Sequence, residues 1–214
     1  MSYFLYSVCF FSLIILGCSV VFLIKRKLIS EKFSYPFLFS LSFISIFILF
    51  LTKPTFELLG IKSINSFDFI FYLILTLVSL ITIYLINKFI LHQHPIELKE
   101  VLDNKASKFL LFYILISSPV QEFFFRSFVY FSLDYLKILN FFTMVSISWI
   151  LFIIAHLAFR DRNLKIGVVF MGLIWGIAYY YSQNLVLISV SHAIIGLCSW
   201  TQGLITTKTF FQKG

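Results

Sequence analysis

Charge is what this chain has least of. Only 12% of its 214 residues are Asp, Glu, Lys or Arg, while 60% are hydrophobic and the mean hydropathy is +0.99. A soluble domain carries about 25% charged residues. A water-soluble globular fold is therefore excluded, as are a disordered chain and a coiled coil. Cysteine is scarce too: Cys9, Cys18 and Cys198 all lie in apolar runs, with no CxxC pair among them. That excludes a disulfide-stapled secreted domain. Cys9 and Cys18 fall on opposite sides of a helix, so they cannot share a metal. All three read as small apolar core residues. Also missing are an internal repeat, a low-complexity tract, a soluble domain and the polar–apolar alternation of an outer-membrane barrel strand.

What is present is a series of long apolar runs, rich in phenylalanine (29 residues). A membrane helix needs about 20 mostly apolar residues. Runs of that kind cover Tyr3–Ile24, Ser34–Thr52, Phe67–Asn87, Phe109–Leu133, Leu139–Phe159, Ile166–Gln183 and Leu185–Ile205. The fold class expected is an all-α polytopic membrane protein with about seven transmembrane helices. Met1–Phe4 lacks a basic n-region and no A-x-A-like site follows, so the first run reads as a retained span.

The formal charge of +8 does not point to nucleic acid, because the cations lie between the spans and act as topology signals. With the N-terminus outside, the cytoplasmic side receives Lys25, Arg26, Lys27, Lys32, Lys88, Lys99, Lys105, Lys108, Arg160, Arg162, Lys165, Lys208 and Lys213. The outer side receives Lys53, Lys62 and Lys137, and Arg126 lies inside a span. Thirteen against three predicts an N-out, C-in chain. Residues 1–108 form an expected N-terminal three-span region with an amphipathic cytoplasmic loop, and 109–214 a four-span core. In that loop Ile96, Leu98, Val101 and Leu102 make one apolar side of a surface helix, and His92 and His94 read as solvated residues or a two-histidine metal site.

Ionisable groups inside a span cost about 2.5–3.5 kcal/mol each, so they need a partner or a task. The fourth span holds Gln121, Glu122 and Arg126, the fifth His156 and the seventh His192. Glu122 and Arg126 are i and i+4 and share a helix face. Pro119 removes a backbone hydrogen bond just before them and can bend the span. A carboxylate and two imidazoles supply a base, a group that orients water or binds metal, and an oxyanion stabiliser. Zinc also accepts such a set, and a proton-coupled transporter uses the same residue types. Gly172 and Gly176 on the sixth span let helices approach closely.

These residues resemble the CPBP family, the CAAX-processing and bacteriocin-processing (Abi) intramembrane proteases, to whose superfamily the Ras-converting endopeptidase belongs. The resemblance runs from Ser118 to about Gly203. The family's Glu-Glu-x-x-x-Arg reads PVQEFFFR here, with Gln121 at the first Glu position and Glu122 and Arg126 matching. Phe-x-x-x-His is matched by Phe152 and His156. Gly-Leu-x-x-Gly-x-x-Tyr-x-x-x-x-Asn-Leu is matched by GLIWGIAYYYSQNL, Gly172 to Leu185. The final His-x-x-x-Asn keeps His192 but has Gly196. In the family the first Glu activates water and the final Asn helps bind the oxyanion. An amide takes no proton near neutral pH, so Gln121 cannot be the base and Glu122 is the candidate instead.

The resemblance implies an intramembrane endopeptidase. In it Glu122, with help from Gln121, activates a water, His156 orients it, His192 stabilises the tetrahedral intermediate and Arg126 holds Glu122. A metalloenzyme form would bind zinc through His156, His192 and Glu122. The partners expected are membrane lipid and a membrane-embedded peptide or protein, prenylated in a eukaryote, with no nucleic acid. A bacterial cytoplasmic membrane is the expected location. Two alternatives stay open: an inactive family member that binds a membrane peptide or partner protein, and a small transporter. The transporter would show broken helices in paired halves, and no such symmetry is visible.

Overall fold

Many large apolar side chains point outwards in this molecule, and several polar ones point inwards. Phe4 is 80% exposed and Phe67 78%, while the side chains of Ser45, Ser132, Ser148, Glu122 and Arg126 are fully buried. That inversion is what a lipid solvent selects. The computed structural model describes residues 2–29, 34–91, 105–159 and 162–201. The amphipathic stretch 92–104, with His92 and His94, lies outside those residues, as do Lys32, Lys99, Arg160, Lys208, Lys213 and the end of the last apolar run.

The described residues are helical with short connections, and no strand occurs among them. The helices are α1 (Tyr3–Lys25), α2 (Ser34–Thr52), α3 (Ser66–Ile86), α4 (Lys105–Glu122), α5 (Val129–Tyr135), α6 (Phe141–His156), α7 (Arg162–Ser182) and α8 (Leu185–Thr201). The all-helical membrane class expected from the apolar runs is what forms. By length and composition, Tyr3–Lys25, Ser66–Phe89 and Leu164–Ser182 are long enough to cross a membrane, and Phe39–Thr52, Phe141–His156 and Leu185–Thr201 are shorter apolar helices. Caps mark the starts. Ser2, Asn65, Asn140 and Asn184 each accept a backbone N–H three residues on, which satisfies a donor the helix leaves open.

The fourth apolar run departs from the regular helix expected of it. Between α4 and α5 the backbone takes π-helical turns over Phe123–Phe128. Pro119 lies inside α4 and cannot donate to the ladder. Wide turns of this kind commonly interrupt a helix at functional sites. Here they carry Arg126 into the centre of the bundle.

Helix α8 packs between α4 and α3, α7 packs along α6, and α1 rests on α2 and α6. One apolar core runs through both halves of the chain, from Tyr6 and Phe10 to Ile188 and Ile195. Buried hydroxyls inside it are satisfied locally: Ser118, Ser132 and Ser189 each donate to the carbonyl four residues back. Other hydroxyls tie helices together. Tyr6 lies 2.7 Å from Ser132, Tyr72 2.8 Å from Ser182, and Thr76 2.9 Å from Ser191.

The connection after α2 folds back over the end of the core. A 3-10 turn at Glu57–Leu59 ends in Gly60, whose φ of 75° is the left-handed conformation that glycine adopts without strain. A Cβ there would also collide with the Tyr179 hydroxyl. The Leu59 carbonyl accepts from Ser127 Oγ (2.7 Å) and Tyr179 (3.3 Å), and the Gly60 carbonyl from the Leu185 N–H (2.8 Å).

Candidate functional site

Four-residue spacing places the first components. On α6, Ser148, Phe152 and His156 follow one another at i, i+4 and i+8, one stripe of one helix face. All three are buried. The stripe faces the π-helical segment and α7. Ser148 Oγ donates to the Phe125 carbonyl at 2.7 Å and accepts from Arg126 Nη1 at 2.6 Å. Arg126 Nη2 donates to the Gly172 carbonyl at 2.9 Å, and its guanidinium lies 5.0 Å from the centre of the Phe152 ring. That carbonyl is reachable because Gly172 has no side chain: a Cβ there would stand 2.8 Å from Phe152 Cδ1. The small-residue reading of Gly172 and Gly176 therefore gains a second content, since the Gly176 carbonyl likewise accepts from Tyr130 (2.7 Å).

Arg126 Nε faces Glu122 Oε2 at 3.5 Å, an ion pair across one turn. The geometry is not that of a hydrogen bond, and both atoms lack one. The other carboxylate oxygen, Oε1, lies 2.7 Å from His192 Nδ1. A carboxylate opposite Arg126 accepts, so Nδ1 carries the proton and leaves the His192 Nε2 lone pair free. His156 is arranged the same way. Its Nδ1 lies 2.8 Å from the Phe152 carbonyl, which can only accept, so its Nε2 is also free.

Both imidazoles flank Phe152, with ring centres 4.4 Å (His156) and 6.0 Å (His192) from it. Both line a cavity of about 90 Å³ between α3, α6, α7 and α8, together with Phe152, Trp175, Gly196 and Ser199. A water needs about 10–15 Å³ of such space, so several fit. Glu122 is 0% exposed and is not among the residues lining that cavity; His192, at 13%, is the group of the pair that reaches it. Glu122 thus touches Arg126 and His192, and the two histidines share the cavity, but the single polar cavity expected to hold Glu122 with both histidines does not include the carboxylate, which lies behind His192.

Gln121 stands apart. Successive helix positions point about 100° away from each other, and its side chain enters a second cavity of about 60 Å³ between α1, α2 and α6, which His156 also lines. Its Oε1 is buried without a hydrogen bond. His156 therefore borders both cavities, while Gln121 lines only the second and Glu122 lines neither.

For zinc, the donors left over are the two imidazole Nε2 atoms. Glu122 is sealed behind His192, and among the described residues no three His, Cys, Asp or Glu side chains gather as a ligand group. As placed, these side chains do not fit a tetrahedral zinc ion.

Two residues of the Gly172–Leu185 segment take roles that the sequence pattern does not assign. Trp175 stacks on His192, ring centres 4.3 Å apart at 30°, and belongs to the GLIWGIAYYYSQNL segment that drew attention for its glycines. Asn184 in that segment is the cap of α8: its Oδ1 accepts the Leu187 N–H at 3.2 Å and starts the helix that carries His192. Gly196, where the family pattern has Asn, sits against α4, and a Cβ there would come 3.2 Å from Ile114 Cγ2.

Comparison with known proteins gives one match. Residues 104–198 match the family model described as Type II CAAX prenyl endopeptidase Rce1-like. No curated protein and no solved structure gives a significant match. The matched stretch contains Gln121, Glu122, Arg126, His156, Trp175 and His192. Residues 104–198, a little under half of the chain, are thus similar to the Rce1-like family of CAAX prenyl endopeptidases.

Proposed function

We propose that this protein is an intramembrane endopeptidase that hydrolyses a peptide bond near the membrane-embedded end of a peptide or protein, and that His192 is its base. The observation that carries the reading is the 2.7 Å contact between His192 Nδ1 and Glu122 Oε1 beside a cavity with room for water. A water there passes its proton to His192 Nε2 as its oxygen attacks the peptide carbonyl carbon. Glu122 stabilises the imidazolium that forms, and Arg126 holds Glu122 in place. When the tetrahedral intermediate collapses, the C–N bond breaks and His192 returns the proton to the leaving amine. His156, with its own Nε2 free, orients the water from the other side of Phe152. Relative to the roles implied by the resemblance, the base moves from Glu122 to His192, which there stabilised the tetrahedral intermediate, and His156 keeps the orienting role. The substrate proposed is a precursor peptide or membrane-protein tail in a bacterial cytoplasmic membrane, with a prenylated CAAX protein as the eukaryotic counterpart.

One observation favours a second reading. Gln121, an amide at the family's water-activating position, sits with His156 in the other cavity, as an inactivated site would. In that case the protein binds a membrane peptide without cleaving it. Wild type, Glu122→Gln, His192→Gln and Gln121→Glu, each in lipid nanodiscs with one membrane-anchored reporter peptide, separate the two. A hydrolase with the His192 base should lose about 10²–10⁴-fold in kcat in the first two variants. Gln121→Glu should change it little. No cleavage by wild type, together with new cleavage by Gln121→Glu, would establish the inactive reading.

A further inference from the structure

The family pattern supplies an amide donor one turn after its last histidine, and here that place is Gly196. The question is what else could hold the oxygen of a substrate carbonyl. A donor for that purpose must line the cavity that both histidines line, must have no other partner, and must be held rigidly.

Three indole N–H groups can be compared. Trp149 Nε1 donates to the Val169 carbonyl at 2.8 Å and is spent. Trp200 Nε1 is buried without a partner, but Trp200 does not line the cavity. Trp175 meets every condition. It is 3% exposed, it lines the cavity with His156, His192 and Gly196, and its Nε1 is buried without a hydrogen bond. An indole nitrogen can only donate. Leaving such a group buried and unpaired costs about 1–3 kcal/mol, so an acceptor that arrives with a ligand recovers that cost. The ring is also fixed, stacked on His192 on one side and meeting Phe152 edge-on, with ring centres 6.2 Å apart.

We infer that the Trp175 indole N–H is the donor for the substrate's carbonyl oxygen, which makes this cavity a peptide-carbonyl site and gives Trp175 the place that Gly196 leaves empty. The stack then has a purpose: base and donor lie on adjacent rings, one for the attacking water and one for the oxygen that gains charge. This deepens the hydrolytic reading above and rests on it for the catalytic part, though not for the binding part.

Trp175→Phe keeps an aromatic ring against His192 and removes the N–H. In nanodiscs with the reporter peptide, kcat should fall about 10²–10³-fold, with KM changed less than about threefold. A kcat within about threefold of wild type would overturn the assignment. The second measurement needs no turnover. The indole ¹H–¹⁵N resonances of the wild-type protein are followed while the hydrophobic aldehyde acetyl-leucyl-leucinal is added, with Trp175 assigned by its absence in Trp175→Phe. Its indole proton should move downfield as the hydrogen bond forms. A resonance that stays put, whether the aldehyde saturates the protein or does not bind it, counts against the site. A moving resonance in a protein that cleaves nothing would end the hydrolytic reading and keep the carbonyl site.

Discussion

Arg126 joins three elements with one planar group. Its two terminal nitrogens reach Ser148 on α6 and Gly172 on α7, and its Nε faces Glu122. Removing the cation alone strands a fully buried carboxylate, which costs about 3–5 kcal/mol when a buried pair is broken. Arg126→Met should therefore lower the unfolding temperature in detergent markedly. Glu122→Gln together with Arg126→Met should recover part of the loss, because neither charge is then left unpaired. A single variant that melts like the wild type would mean that the pair carries no structural weight. The Glu122–Arg126 pairing is legible in the sequence, because i and i+4 share a face whatever surrounds them. The Glu122–His192 bond is not, since it joins residues 70 apart and depends on how α8 packs on α4. That Gln121 and Glu122 point in different directions follows from helix geometry alone, yet it acquires meaning only once Gln121 is seen to line a cavity and Glu122 to back His192.

At the scale of the element, α7 shows how two glycines of one segment do different work. Gly172 touches Phe152 and Trp149, and a methyl group there would have to displace them; overpacking of this kind costs about 1–3 kcal/mol. Gly176 has its nearest neighbour, Val145 Cγ1, at 3.5 Å, an ordinary contact. Gly172→Ala should lower the unfolding temperature, and Gly176→Ala should leave it unchanged or raise it, since alanine favours a helix interior by about 1 kcal/mol over glycine. Equal effects of the two would refute the assigned contacts. Helix identity was the easiest thing to read, because hydrocarbon demands long apolar runs. The π-helical turns at Phe123–Phe128 were not readable: Pro119 announces a disturbance, but its form depends on the bonds Arg126 and Ser148 find across the bundle. The i, i+4, i+8 spacing of Ser148, Phe152 and His156 is visible in the sequence, but the role of Ser148 depends on Phe125 and Arg126 meeting it across the bundle.

The whole molecule has an orientation to be tested. Thirteen cations on one expected side against three on the other predict that a reporter joined after Gly214 reads cytoplasmic, while a label near Ser2 is reached from outside. A reporter after Gly214 that reads external would mean an even number of crossings. The orientation matters to chemistry, because it decides which leaflet the two cavities open towards.

The docking of Leu59 and Gly60 onto Ser127, Tyr179 and Leu185 has a further consequence. The stretch that carries the family's pattern is not a self-sufficient module. Its backbone partners at that end belong to the other half of the chain, as do those of Ser132 and Ser191, which meet Tyr6 and Thr76. Expressed alone, 104–198 should aggregate or be degraded. Expressed as two polypeptides divided between 92 and 104, the protein should instead reassemble, the front piece acting as a built-in chaperone for the back one, and the two should copurify through an affinity tag on either.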